Sequence, residues 1–212
     1  ARRPAPAHHP HTNTAQPMGG IDDKPERRPG TRRGPRRTRS RHGLRHSGTH
    51  NLAVYAALAD SPIRSVLTRH EQGAGYAADG YARVTGKPGV CLTTTGPAIL
   101  NAAAAAAQAW SDSVPVLFIS PALPLTHPGR GNGYLHEVKN QHAALEAIVS
   151  YSHRVTSVDE IPRAIAYAFA AMSSGRPRPV HIEIPVDILD AEADVRIVAP
   201  VESAPLAAPV HA

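Results

Sequence analysis

The stretch Arg69-His70-Glu71-Gln72-Gly73-Ala74-Gly75-Tyr76-Ala77-Ala78-Asp79-Gly80-Tyr81-Ala82-Arg83 decides how this chain is read. It follows a short apolar run, Ile63 to Thr68, and is built almost entirely of small residues. The run predicts a strand and the small-residue stretch a helix, with Glu71 at the junction. In an open α/β sheet, ligands sit in the crevice outside the carboxyl ends of the strands. A carboxyl group at that junction can share a proton with a ligand. Taken alone it could equally be an acid in a first helical turn, favoured by the helix dipole. The segments on either side decide between the two.

Outward from this stretch, elements alternate. Asn51 to Asp60 predicts a helix with Leu52, Tyr55, Ala56 and Leu58 inward. Val90 to Thr95 reads as a buried strand, and Gly96-Pro97 opens a helix running to about Trp110. Val114 to Ser120 is a further strand, followed by a Gly-rich loop from Pro128 to Gly133 and a helix near 140–148. Ser150 to Val155, Ile161 to Met172 and Val180 to Ile184 read as strand, helix and strand. Strands and helices alternating at these lengths predict an α/β fold, a parallel sheet with helices on both faces. Gly73-x-Gly75-x-x-Ala78 mimics a dinucleotide fingerprint but lacks its strand-turn context and its downstream acid, so it is set aside.

Composition divides the chain of 212 residues. Residues 1–47 hold twelve Lys/Arg against three Asp/Glu; residues 48–212 hold eleven against fourteen. The basic excess therefore belongs to the first segment, which has almost no Leu, Ile, Val or Phe. It cannot bury enough apolar surface to offset the entropy of ordering, and is read as disordered. Arg27 to Arg45 could serve as a nucleic-acid arm, but no aromatic is interleaved to stack on bases, which disfavours that partner. Residues 191–212 are Ala/Pro-rich and read as a linker. The lone Cys91 cannot form an internal disulfide, which suits a reducing cytoplasm. No apolar run approaches the roughly 18 residues of a membrane span.

Four motifs in order, Gly48-Thr49-His50-Asn51-Leu52, Arg69-His70-Glu71-Gln72-Gly73-Ala74 with Gly80-Tyr81-Ala82-Arg83, Thr94-Thr95-Gly96-Pro97 with Asn101, and Pro179-Val180-His181-Ile182-Glu183-Ile184-Pro185, carry a resemblance. Residues 48–190 resemble the N-terminal, pyrimidine-binding domain of thiamine diphosphate-dependent enzymes, of the acetolactate synthase and 2-oxo acid decarboxylase kind. The Gly-Thr-His-Asn variant and Leu135-His136-Glu137…Gln141 look closer to decarboxylases of guanidino-oxo acids.

The resemblance implies a catalytic role for Glu71: its carboxyl would hydrogen-bond the cofactor's pyrimidine N1′ and favour the tautomer that deprotonates the thiazolium. It implies cofactor contacts at Gly48, Thr49, Thr95, Gly96, Pro97 and Asn101, the last bracing the turn before it. Gly48 and Thr49 match the loop that approaches the cofactor from a partner subunit; a helix cap through Thr49 or His50 is the other reading. His50 and His136 are the candidates for facing a 2-oxo acid substrate. Tyr81 reads as packing beneath the site. No metal ligand is assigned: Mg²⁺ would be held through a diphosphate-binding domain, in another chain or in further sequence, with oxygen ligands. FAD, which would sit in a middle domain, is left open. The family is homo-oligomeric, so the expected assembly is at least a dimer. The chain is read as a fragment, inactive alone as a lyase or transferase; the rival is a retired domain with a basic arm. The segment Arg37 to Gly48 stands where the family has an apolar strand, and is expected to be unable to form one. Codons CTT-CGG-CAT-TCC-GGG for residues 44–48 would read Phe-Gly-Ile-Pro one base on, which suggests a shifted frame.

Overall fold

Val116–Ala122 and Val180–Pro185 are buried at nearly every position, the mark of strands covered on both faces rather than one. The computed structural model describes residues 42–45 and 48–198. Among them the strands are β1 (His42–Arg45), β2 (Arg64–Leu67), β3 (Gly89–Leu92), β4 (Val116–Ala122), β5 (Tyr151–Arg154) and β6 (Val180–Pro185). The helices are α1 (Leu52–Ala59), α2 (Glu71–Thr85), α3 (Pro97–Asp112), α4 (Gln141–Glu146), α5 (Ile161–Ser173) and α6 (Val186–Leu189). The sheet runs β2-β1-β3-β4-β6-β5, and every neighbouring pair is parallel. The expected α/β architecture is therefore the observed one.

One face of the sheet carries α2, α3 and α4. Ala74, Ala78 and Ala82 of α2 meet Ala102, Ala105, Ala106 and Ala109 of α3 above Cys91, Val116 and Phe118. Alanines let the two helices approach closely, and Gly75 goes further: a Cβ there would lie 2.7 Å from the Ala105 Cβ. The opposite face packs Ala164, Ala168 and Met172 of α5 on Leu117, Val180, Ile182 and Ile184. α2 starts with the His70 Nδ1 accepting the Gln72 N–H at 3.1 Å, a side-chain cap. It ends at Gly86, whose φ of 66° supplies the left-handed residue that closes a helix.

Three expectations are corrected. His42–Arg45 form a strand, paired with β2 from His42↔Arg64 to Arg45↔Leu67 and with β3 at Leu44↔Cys91 and Arg45↔Leu92. A ladder is made by main-chain N–H and C=O groups, so the lack of an apolar pattern did not keep this segment out of the sheet. The disorder reading for residues 1–41 and 46–47, and most of the basic arm, lie outside the described residues. Second, α1 buries none of its residues: Leu52 is 60% exposed and Ala56 is exposed, while Tyr55 and Leu58 are only half-buried. Its apolar residues run right round the helix, so a single packed face can bury only part of them. Third, neither Thr49 nor His50 caps a helix; the 3₁₀ turn Thr49–Asn51 and α1 both start without a side-chain cap.

The Ala/Gly contact between α2 and α3 is tightly filled, so Gly75→Val should destabilise the chain by about 1–3 kcal/mol in urea titration. Gly80→Ala, in the same helix with nothing within 4 Å of the new Cβ, should be neutral or stabilise by about 0.5–1 kcal/mol.

Candidate functional site

From β1 the chain crosses to β2 on one side; from β3 it proceeds to β4 on the other. The gap between the ends of β1 and β3 is thus a topological switch point, the preferred ligand crevice of such sheets. Two loops meet there. Gly48 follows β1 and packs against Thr94 so closely that a Cβ would lie 2.6 Å from the Thr94 Cγ2. Asn51, fully buried, fastens them: its Oδ1 accepts the Gly48 N–H at 2.9 Å and its Nδ2 donates to the Thr93 carbonyl at 3.0 Å.

Thr94 and Thr95 are buried, yet the Oγ1 of each lacks a hydrogen-bond partner. Leaving a buried hydroxyl unmet costs about 1–3 kcal/mol, so such groups point to a missing ligand or partner. Gly96 comes next, at φ 63° and ψ −119°. Only glycine fits: beyond the positive φ, a Cβ would run into the His136 carbonyl oxygen. Pro97 then supplies a first helical residue that needs no N–H partner.

Glu71 opens α2 beyond the end of β2 and is 8% exposed. The Asn101 Nδ2, one turn into α3, donates to its Oε2 at 3.1 Å. Asn101 was expected to brace the turn at 95–97; its side chain instead reaches the carboxylate. Tyr81 packs against the core from α2, as the sequence indicated. His50 and His136 come together edge to face, with ring centroids 5.9 Å apart, and the Nδ1 of each is buried without a partner. Burial lowers the His50 pKa below its usual value, and the charge of His136 lowers it further. His136 itself sits at φ 60°, a conformation that non-glycine residues seldom adopt.

Behind this rim lies a polar cluster to which no role was assigned from the sequence. Gln141, at the start of α4, accepts the Gly96 N–H on Oε1 at 2.6 Å. Its Nε2 faces the Ser120 Oγ at 3.1 Å, the Pro121 carbonyl at 2.9 Å and the Glu183 Oε2 at 3.1 Å. Ser120 continues to the His181 Nε2 at 2.9 Å, the His181 Nδ1 to Ser152 at 2.9 Å, and Ser152 to the His142 Nδ1 at 3.1 Å. Burial pulls the His181 imidazole down to about 3, helped by the charge of His142, so the ring is neutral. Burial pushes the Glu183 carboxyl up, opposed by Arg154, the Gln141 hydrogen bond and His142. One signal for this cluster was legible: in Pro179 to Pro185, His181 and Glu183 stand two apart in an apolar strand, which puts both on one face. A cleft of about 440 Å³ adjoins it, bordered by Thr95, His136, Gln141, His142, Arg154 and Glu183. Among the described residues no group of three His, Cys, Asp or Glu could hold a metal ion.

An α/β domain with a buried carboxylate on the rim of a parallel sheet, and orphaned hydroxyls at the switch point, has the form of a ligand-binding domain. Residues 41–144 match the family described as thiamine pyrophosphate enzyme, N-terminal TPP binding domain, and through them the chain belongs to that family. It is 52% identical over 144 residues to the probable 2-ketoarginine decarboxylase of Pseudomonas aeruginosa, covering 68% of this chain and 26% of that protein. It is 43% identical over 162 residues to an acetolactate synthase of Arthrospira platensis, and 40% identical over 163 to the large subunit of acetolactate synthase isozyme 2 of Escherichia coli K12. Those matches cover 73% of this chain in each case, and 28% and 29% of the relatives. The chain thus spans about a quarter of the length of these relatives. None of the described helices is long and apolar enough to cross a membrane.

The titrations of the buried cluster have opposite signs. His181 binds its proton in the unfolded chain at about 6.5 and in the folded one only near 3, so it subtracts stability as pH falls through that window. Glu183 keeps its proton in the folded chain above its ordinary 4.5, so it subtracts stability as pH rises just past that value. The two offset each other above about 4.5, and below it His181 acts alone. Urea midpoints against pH should show His181 contributing a slope of at most about 1.4 kcal/mol per unit below 4.5. His181→Gln should remove that contribution.

Proposed function

We propose that this chain supplies the pyrimidine-activating half of a thiamine diphosphate site in an enzyme that decarboxylates 2-oxo acids, with or without carboligation. The observation that carries the reading is Glu71: a nearly buried carboxylate, oriented by Asn101, at the carboxyl edge beside the orphaned Thr94 and Thr95 hydroxyls. When bound, the cofactor supplies an electron sink for the charge left as CO₂ departs. Glu71 holds or shares a proton at the ring nitrogen, and Asn101 keeps that carboxyl in place. The Gly48 and Gly96 backbones let the Thr94 side chain and the His136 carbonyl close onto the rim, since neither glycine carries a Cβ. Gly48 and Thr49 form a loop suited to face a partner subunit's cofactor, and Thr95, Gly96 and Pro97 form the wall against the pyrimidine.

His50 and His136 meet the substrate. Their unpaired buried Nδ1 atoms give it hydrogen-bonding groups, and the lowered His50 pKa keeps that ring neutral near pH 7. The likeness to a 2-ketoarginine decarboxylase supports a guanidino-substituted 2-oxo acid. Mg²⁺ and the diphosphate are held by the diphosphate-binding domain of another chain or of further sequence, within a homo-oligomer of the cytoplasm. The described residues offer nothing in favour of the nucleic-acid alternative.

With the remaining domains supplied, Glu71→Gln should slow hydrogen–deuterium exchange at the cofactor C2, read by quenched NMR, by about 10²- to 10⁴-fold. An unchanged rate would take Glu71 out of the chemistry. The purified chain by itself should show no submicromolar binding of thiamine diphosphate with Mg²⁺ by calorimetry, because only the pyrimidine contacts are present; tight binding would refute the division of labour.

A further inference from the structure

We infer that Gln141 is the positioning residue of this site: it holds the Gly96 turn, against which the pyrimidine ring rests, by accepting the Gly96 N–H while anchored to the ends of β4 and β6. The inference rests on the proposed function for the identity of the ring, and on the structure for the clamp. Gly96 leaves β3 in a conformation that only glycine tolerates, so no local helical or strand bond fixes its N–H. That N–H is met by a side chain 45 residues further on, at 2.6 Å. The contact also settles the orientation of the amide, since a backbone N–H only donates and Oε1 must face it.

The other end of Gln141 has no freedom left. Its two Nε2 hydrogens are shared among three acceptors: the Ser120 Oγ, the Pro121 carbonyl and Glu183. Ser120, accepting from Gln141, also shares a hydrogen bond with the His181 Nε2. The His181 Nδ1 in turn bonds Ser152, and Ser152 the His142 Nδ1.

Docking α4 does not require this. Leu145, fully buried among Phe118, Ile99 and the alanines of α3, already anchors that helix by apolar contact. Gln141 is thus free to serve the turn. It joins the rim formed by β3 to the rim formed by β4 and β6, so that Thr95, Gly96 and the His136 carbonyl keep one spacing.

The test uses the ¹⁵N-labelled chain and the free ring, 4-amino-2,5-dimethylpyrimidine, followed by amide shifts at Glu71, Asn101 and Gly96. In Gln141→Met, Gly96 amide exchange should accelerate by about tenfold and the ring dissociation constant should rise by about tenfold, the worth of one buried hydrogen bond. Gln141→Glu, whose protonated carboxyl keeps one acceptor and one donor, should restore both. A folded Gln141→Met chain that binds the ring as tightly as the native one overturns the inference. Should Gln141→Met fail to fold, Gln141→Glu decides: native Gly96 protection with native affinity supports the inference, and native protection with lost affinity overturns it. Absence of any ring-induced shift at Glu71 in the native chain would instead overturn the functional reading, and Gly96 exchange would still report whether Gln141 holds the turn.

Discussion

The parallel ladder of β1, made to β2 on one side and to β3 on the other, sets the geometry on which the site is built. Parallel neighbours point their carboxyl ends the same way, so the loops after β1, β2 and β3 all open on one rim. Gly48, Glu71 and the run Thr93 to Gly96 are brought together by that pairing, although 48 positions separate the first from the last. What matters is that a strand occupies the place between β2 and β3 and returns its chain across the switch point.

Two different physical devices then refine the rim. Close approach is obtained by omission: Gly48 against Thr94, Gly75 against Ala105, Gly96 against the His136 carbonyl. Fixed distance is obtained by polar side chains reaching far along the sequence, as Asn51 does to Thr93 and Gln141 to Gly96 and Glu183. The buried groups behind the rim are arranged to carry little charge, with a neutral His181 and a Glu183 that resists ionising. A low-charge interior suits a site whose Glu71 carboxylate is held by an asparagine.

Much of this was legible in the sequence because it is local. The alternation of apolar strands with small-residue helices predicted β2 to β6 and α2 to α5 to within a few residues, and in β3, β4 and β6 burial on both faces leaves a strong compositional trace. Glu71 stood out because a carboxylate stands at the junction of a strand and a small-residue helix. What was missed depends on long range. β1 has no apolar pattern, and its place is given by partners 22 and 47 residues further on. The outward face of α1 could not be read from Leu52 and Ala56, because periodicity says which residues share a face and not whether anything covers it. Asn101 was placed in the right region with the wrong partner: the distance between α2 and α3, set by Gly75, determines what its amide reaches. Gln141 is a single polar residue at the head of a short helix, and only the fold shows four of its neighbours.

The sheet order also has a consequence for how the molecule is made. β6 lies between β4 and β5, and among the described residues is the only strand with which β5 pairs. A ribosome delivers β4 and β5 first and β6 after them, so the far half of the sheet must wait, with the edges of β4 and β5 unmet, until about residue 185 has emerged. At a synthesis rate of roughly 5–20 residues per second that interval lasts on the order of seconds. Glu183 arrives with the last strand, so Gln141 can gain its full set of bonds only when the fold closes. Nascent chains are therefore complete at the β1–β3 end before they are complete behind it, and any factor that shields open strand edges during translation would act on the β4–β5 half.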